Sequence, residues 1–301
     1  QRLPAAGPQV RVGSGDDAAV TVPDGAVATS VDALVEGVHF RRKTATPRQI
    51  GRKAISTALS DLAAMGAAPG EAYVWLGAPE GMEEAELLEV GEGLAAVAVE
   101  TGTTIAGGDL TRAPVLSLAV TVTGHAPKPQ DFVTRGGARP GDVLVVTGEL
   151  GGAAAGLALI EDPALDPGAR IECPPTEQPD AGTAGALRAR QLDPTPHLAA
   201  GQALAAAGAT AMIDISDGLA GDAHHVAEAS GALLLIEADS IPIAPGVIAV
   251  ATAGDRDPLE LAAAGGEDYE LLAALPPAAV APARQALAAL GTALTVVGKV
   301  E

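Results

Sequence analysis

The 301 residues are 48% hydrophobic and only 2% aromatic, with 38 acidic against 18 basic side chains and a formal charge of −20. That length supports two ordinary domains, whereas the charge argues against nucleic acid as a main partner and the scarcity of aromatics leaves little for base stacking. A single cysteine, Cys173, excludes an internal disulfide framework and fits a reducing compartment.

No apolar run reaches the roughly 18 residues of a membrane span, and no signal-peptide pattern follows Gln1. The expected location is cytoplasmic, with no membrane partner. Early in the chain, "GSGDDAAV" (13–20) sets Asp16 and Asp17 side by side between glycines and an apolar run. That is an awkward place for two acids unless they hold something. "VATSVDALV" (27–35) is predicted to be a strand with Val27, Thr29 and Val31 on one face and Ser30 and Asp32 on the other. His39, just beyond it, either caps the strand edge or contacts a ligand.

A helix follows, with Thr46 as N-cap, Pro47 at the first helical position, Gln49 closing a capping box and Gly66 ending it. "AYVWLGAP" reads as a strand, 82–101 as a second helix, and "IAGGDLTR" (105–112) as a short strand ending on two glycines and Asp109. "VLSLAVTVTG" (115–124) alternates, as half-buried strands of antiparallel or mixed sheets do. A loop rich in proline and glycine sets the boundary: an N-terminal domain over 1–126, a linker over 127–142 and a C-terminal domain over 143–301.

The second half begins with a strand at 143–147, a helix from about 151 and a polar insertion at 161–195 that carries Cys173 as a bystander. Strands at 211–216, 232–237, 269–275 and 292–298 and helices at 219–230 and 277–290 complete it. The fold class is α+β: an N-terminal mixed sheet with helices and a C-terminal α/β sandwich.

Several acids sit where they cost energy. On an ideal helix, at about 100° per residue, Asp61 lies within about 20° of Ile50 and Ala54. It is thus in the apolar stripe, where an unpaired carboxylate is expensive. It is either an edge acid paired with an arginine or a ligand with room beside it. "AMIDISDGLAGD" (211–222) places Asp214 and Ser216 on one strand face and Asp217 in the turn before a helix. "AAAGGEDYELLAAL" (262–275) runs two glycines into Glu267 and Asp268.

One Gly-Asp pair at a strand end is an ordinary turn, but several such acids gathered in one cleft require cations. Oxygen ligation without a Cys or His cluster points to Mg²⁺, completed by nucleotide phosphate oxygens. The P-loop pattern and the kinase Asp-Phe-Gly are missing. "GELGGAAAG" (148–156) is either a phosphate turn or a close helix contact. Arg135, in "VTRGGARPGD", is the leading candidate for phosphate neutralisation, the alternative being a solvated loop arginine.

In order, "GDDAAV", "SVDALVEGVHF", "ALSDLAAMGA", "GGDLTR", "RGGARPGD", "IDISDGL" and "GGEDYELL" resemble the thiamine-monophosphate kinase family, within the aminoimidazole ribonucleotide synthetase superfamily. The resemblance implies direct in-line transfer of the γ-phosphoryl group of ATP onto thiamine monophosphate, with several Mg²⁺ ions and no general base. It also implies a homodimer joined through the N-terminal sheets. It assigns Asp17, Ser30, Val31 (through its main-chain oxygen), Asp32, Asp61, Asp109, Asp214 and Asp217 to Mg²⁺. Gly108, Asp109, Arg135 and Ser216 go to ATP, and His39 and Glu267 to thiamine monophosphate.

Val31, Ala58 and Leu110 replace the family's usual Thr, Asn and Thr. Gln191 and His197 stand where the family tends to have His and Arg, and the chain stops before an aromatic expected to stack on thiamine. The competing expectation is a nucleotide-binding regulator that keeps the acids without turnover.

Overall fold

A computed structural model describes residues 7–13, 18–166 and 181–301; Asp16, Asp17 and Cys173 lie outside the described residues. The chain divides into two compact units, Gln1–Phe132 and Val133–Glu301.

The first unit opens with a two-stranded ribbon, β1 (Val10–Val12) and β2 (Val20–Thr21). Then follow β3 (Ala26–Val35), α1 (Pro47–Ala64), β4 (Ala68–Ala78), α2 (Glu84–Thr101), β5 (Thr104–Arg112) and β6 (Ser117–Ala126). The four long strands form a mixed sheet ordered β3-β6-β4-β5; β4 and β5 run parallel, linked by α2, and the other pairs are antiparallel. The expected capping box at Thr46 and Gln49 is present, with Pro47 in the first turn. β5 continues past Asp109, which is paired in register with Trp75, so that acid lies within the strand and not at its end.

Alternation along β3 is as predicted, but its burial runs against the usual pattern. Leu34, on the face of Ser30 and Asp32, is buried, while Val27 and Val31 on the opposite face are 42% and 63% exposed. The polar pair thus shares the sheet's inner face, which α1 touches at β3 and β6.

Helices α1 and α2 cross unusually closely. A Cβ on Gly51 would lie 2.0 Å from the Val90 carbonyl oxygen, and one on Gly93 would lie 2.1 Å from that of Arg48. Ion pairs Arg42–Glu86 (2.6 Å), Arg48–Glu92 (3.4 Å) and Arg52–Glu100 (2.8 Å) run along the same seam. At this exposure they contribute little individually; close packing decides the geometry.

The second unit comprises β7 (Val143–Thr147), α3 (Gly152–Glu161), α4 (Ala181–Leu192), α5 (Leu198–Ala207), β8 (Ala211–Asp214), α6 (Leu219–Ser230), β9 (Leu234–Ile236), α7 (Val247–Ala253), α8 (Pro258–Ala264), β10 (Leu271–Leu275), α9 (Val280–Ala289) and β11 (Leu294–Val300). Its sheet, ordered β8-β10-β7-β11-β9, is antiparallel throughout. Leu144, Val146, Ile213 and Leu272 pack with Leu219, Ala223 and Val226 of α6 and Ala262 of α8. The alternate positions Val145, Met212 and Ala273 are also buried, which explains the near-continuous apolar runs of these strands.

Four helices were not expected. α4 falls inside the stretch read as a polar insertion, yet Ala184, Leu187 and Gln191 form a buried stripe at helical spacing. α5, α7 and α8 are short and alanine-rich, with stripes too narrow to stand out. Residues from Val133 onward, within the expected linker, are fastened to the second unit: the Ser230 hydroxyl accepts the Gly137 and Ala138 N–H groups and donates to the Arg135 carbonyl. Among the described residues, no helix is long and apolar enough to cross a membrane.

Because the Gly93 approach leaves no space for a methyl group, Gly93→Ala is expected to cost at least about 1–3 kcal/mol through overpacking. A urea unfolding curve would detect it as a lower midpoint, and an unchanged midpoint would contradict this packing.

Candidate functional site

In the first unit, α1 brings Asp61 to Ser30, half-buried in the middle of β3. The Ser30 hydroxyl donates to Asp61 Oδ2, and Asp32 Oδ1 accepts the Ala33 N–H at 2.7 Å. Ala54 and Ala58, beside Asp61 in the stripe, are fully packed. Ala58 is therefore a core residue here. Gly108 and Asp109 are exposed on β5, and Val31 has its side chain in solvent. His39 follows β3 and accepts the Val35 N–H at Nδ1 (3.1 Å). This is a strand-edge contact, one of the two alternatives read for His39, and it engages Nδ1 and not Nε2.

In the second unit, β8 ends on the buried Asp214, and the turn at Ser216 and Asp217 leads into α6. One oxygen of Asp222, in the first turn of α6, accepts the N–H groups of both Ser216 and Asp217 at 3.0 Å each. Burial, opposed by those donors, leaves the Asp222 carboxyl raised above its usual value. Gly218 has φ 107°, and a Cβ there would lie 2.9 Å from Ala264, so this turn admits only glycine. Asp217, Asp222 and His225 offer ligand atoms within 4.8 Å of one another. Arg135 lies exposed on the loop that Ser230 secures.

The Gly-Gly-Glu-Asp-Tyr-Glu segment runs beside this turn. The Glu267 N–H donates to the Ser216 carbonyl (2.8 Å), and Tyr269 N–H donates to that of Ile215 (2.8 Å). Glu267 and Tyr269 have positive φ (68° and 53°), a strained state for such side chains. Neighbouring contacts hold it. Gln191 donates to Glu267 Oε2, Asp268 accepts the Gly151 and Ala153 N–H groups (2.6 and 3.0 Å), and Glu270 accepts the Thr147 hydroxyl (2.6 Å) and meets His197 at 3.3 Å.

These contacts decide the role of "GELGGAAAG". The amino end of α3 is filled by the Asp268 carboxylate, and a Cβ on Gly156 would lie 2.0 Å from the Leu187 carbonyl. The glycines serve helix packing. Near Glu267 is a cavity of about 440 Å³, whose lining includes Leu157, Glu161, Asp162, Gln191, Arg256 and Glu267.

Sequence reasoning missed Asp222, Thr147 and Glu270. Asp222 carried a readable signal, since it shares the buried stripe of Leu219, Ala223 and Val226, as Asp61 shares that of α1. Ser30, Asp32 and Asp61 in the first unit are half-buried, and in the second Asp214 is buried and Asp217 exposed; all are hard oxygen donors. That donor chemistry fits Mg²⁺.

Burial alone would raise Glu270 and lower His197. Their mutual contact, with Thr147's hydrogen bond, reverses both, so Glu270 is held below its usual value and His197 above. Burial pushes Asp268 up to about 6, against its backbone donors. The Glu270 contribution is present above its unfolded value and lost in acid. The Asp268 contribution is full in acid and lost as pH rises towards about 6. That of His197 persists up to its unfolded value and fades as pH climbs through the higher folded one. Stability should therefore decline as pH rises above about 6.5, the ordinary imidazole value, and through the higher folded value of His197, and His197→Gln should flatten that decline. Urea midpoints across the window test this; an equal slope in the variant would contradict it.

The sequence matches the AIR synthase related protein family, its N-terminal domain over residues 15–126 and its C-terminal domain over 139–301. It is 39% identical to the thiamine-monophosphate kinase of Mycobacterium tuberculosis over 274 residues, covering 88% of this chain and 74% of that one. The crystal structure of thiamine-monophosphate kinase from Stenotrophomonas maltophilia K279a superposes with a TM-score of 0.86 at 33% identity, covering 97% of this chain and 89% of the other. A structure of AaThiL complexed with AMPPCP and TMP gives 0.77 at 31% identity, covering 91% and 81%.

Proposed function

Because the chain belongs to the thiamine-monophosphate kinase family of AIR synthase related proteins, we propose that it is an enzyme that moves the γ-phosphoryl group of ATP onto thiamine monophosphate, forming thiamine diphosphate. The observation that carries this reading is the hydroxyl–carboxylate pair of Ser30 and Asp61 beside Asp32, an acid set in an apolar helix stripe where packing alone would place none. The relatives' names and the AMPPCP and TMP complex support the substrate pair.

The acceptor is itself an anionic phosphate, so the reaction needs no strong general base, only in-line positioning and charge cancellation. Ser30, Asp32, Asp61, Asp214 and Asp217 are proposed to hold Mg²⁺, joined by Asp17, Asp109 and the Val31 carbonyl as the family resemblance assigns. Bound there, the ions would neutralise phosphate charge. Gly108, Asp109, Arg135 and Ser216 are assigned to ATP. His39 is assigned to the acceptor phosphate through Nε2, its Nδ1 being engaged by Val35. Glu267, with Glu161 and Asp162, lines an acidic cavity suited to the thiazolium cation.

ADP release with Mg²⁺, ATP and thiamine monophosphate tests the reading. Asp61→Asn and Asp217→Asn are each expected to lower kcat by at least about 100-fold, and chelation should abolish turnover reversibly. Nucleotide binding without any turnover by the wild type would instead identify a regulator.

The exposed face of the first unit's sheet, with Val27 and Val31 of β3 and Trp75 of β4, is proposed to pair with a second copy in a cytoplasmic homodimer. Exposed apolar side chains gathered on one face of a sheet are a common mark of an interface. Sedimentation should find a dimer for the wild type and a monomer for the Val27→Lys/Trp75→Lys double variant; identical masses would refute this face.

A further inference from the structure

Ser216 and Asp217 are consecutive residues in a turn, and nothing in their own side chains fixes that turn. A two-residue stretch given both to nucleotide and to cation must keep its backbone still when negative charge and a divalent ion arrive together. The support comes from Asp222. It is 2% exposed, and a single one of its oxygens receives the N–H groups of both residues at 3.0 Å. One acceptor oxygen shared by two consecutive N–H groups fixes their relative orientation.

The clamp reaches further than the turn. The Ser216 carbonyl accepts the N–H of Glu267, and a Cβ on Gly266 would lie 2.7 Å from that same carbonyl oxygen. The Ser216–Asp217 peptide is thus held at both of its polar groups, by Asp222 through the Asp217 N–H and by the Glu267 segment through the Ser216 carbonyl. The geometry points to Asp222 as a positioning residue, one that touches neither substrate but sets the backbone from which Ser216 and Asp217 act. This deepens the proposed function and rests on it, since those two residues matter only if nucleotide and cation bind there.

The test is Mg²⁺-dependent binding of a non-hydrolysable ATP analogue by calorimetry, alongside the melting temperature of each variant. Asp222→Asn keeps an acceptor oxygen for both amides without the charge, whereas Asp222→Ala removes it. If Asp222→Ala does not fold, Asp222→Ser replaces it, because its shorter hydroxyl cannot reach both amides. The inference predicts that Asp222→Ala or Asp222→Ser weakens analogue binding by about tenfold or more, while Asp222→Asn stays within about threefold of wild type.

Folded Ala or Ser variants that bind like wild type, even with lowered melting temperatures, would reduce Asp222 to a stability residue and overturn the inference. An Asn variant as weak as Ala would overturn it differently, by showing that the negative charge, and not the acceptor geometry, is what matters. A wild-type protein that does not bind the analogue at all refutes the functional reading itself, a result distinct from equal binding by the variants.

Discussion

A carboxylate taken partly out of water must have its charge answered by donors, by opposite charge or by a bound ion, and both units of this protein are organised around that demand. In the first, Asp61 is carried on a helix whose apolar stripe would otherwise continue through it, and the Ser30 hydroxyl from β3 meets it. In the second, Asp222 is buried at the start of α6 and answered by two backbone amides of the preceding turn. The same need is met for Asp268 by the amino end of α3, and for Glu270 by Thr147 and His197. Asp217 remains exposed at the rim, where a cation can reach it. Asp222, Asp268 and Glu270 are thus answered by the protein itself.

Local strain follows the same division. Glu267 and Tyr269 sit in left-handed backbone conformations, which cost free energy unless the surroundings over-determine them. They are over-determined. Alternate residues of the segment, Asp268 and Glu270, are fixed by buried hydrogen bonds, and the strained residues donate backbone N–H groups to Ser216 and Ile215. The segment that presents Glu267 to the cavity is therefore rigid at its base.

Much of this was legible in the sequence because it depends on local chemistry. Thr46, Pro47 and Gln49 announce α1 by capping alone, and period-two alternation gave β3 and β6. The acids were conspicuous because each broke a local rule, Asp61 most clearly. What was hidden depends on contacts distant in the chain. Thr147 and Glu270 meet across 123 residues, and no spacing rule links them. α5, α7 and α8 are short and bury few large apolar side chains, Leu198 and Leu204, Val247 and Val250, and Leu261, too few to mark a helical stripe. The inward orientation of Ser30 and Asp32 was also illegible: alternation separates the two faces of a strand, but only packing decides which of them turns to the core. "GELGGAAAG" was ambiguous for the same reason, until Asp268 and Leu187 supplied its partners.

The central claim is that these strand, turn and helix-stripe acids hold divalent ions for a nucleotide. Crystals grown with Mn²⁺ and a non-hydrolysable ATP analogue test it directly through anomalous scattering. The account predicts peaks at ligand distance, about 2.1 Å, from carboxylate oxygens of Asp32 or Asp61 and of Asp217, with phosphate oxygens completing the coordination. Bound nucleotide with its ions elsewhere, and no peak at either set, would contradict it.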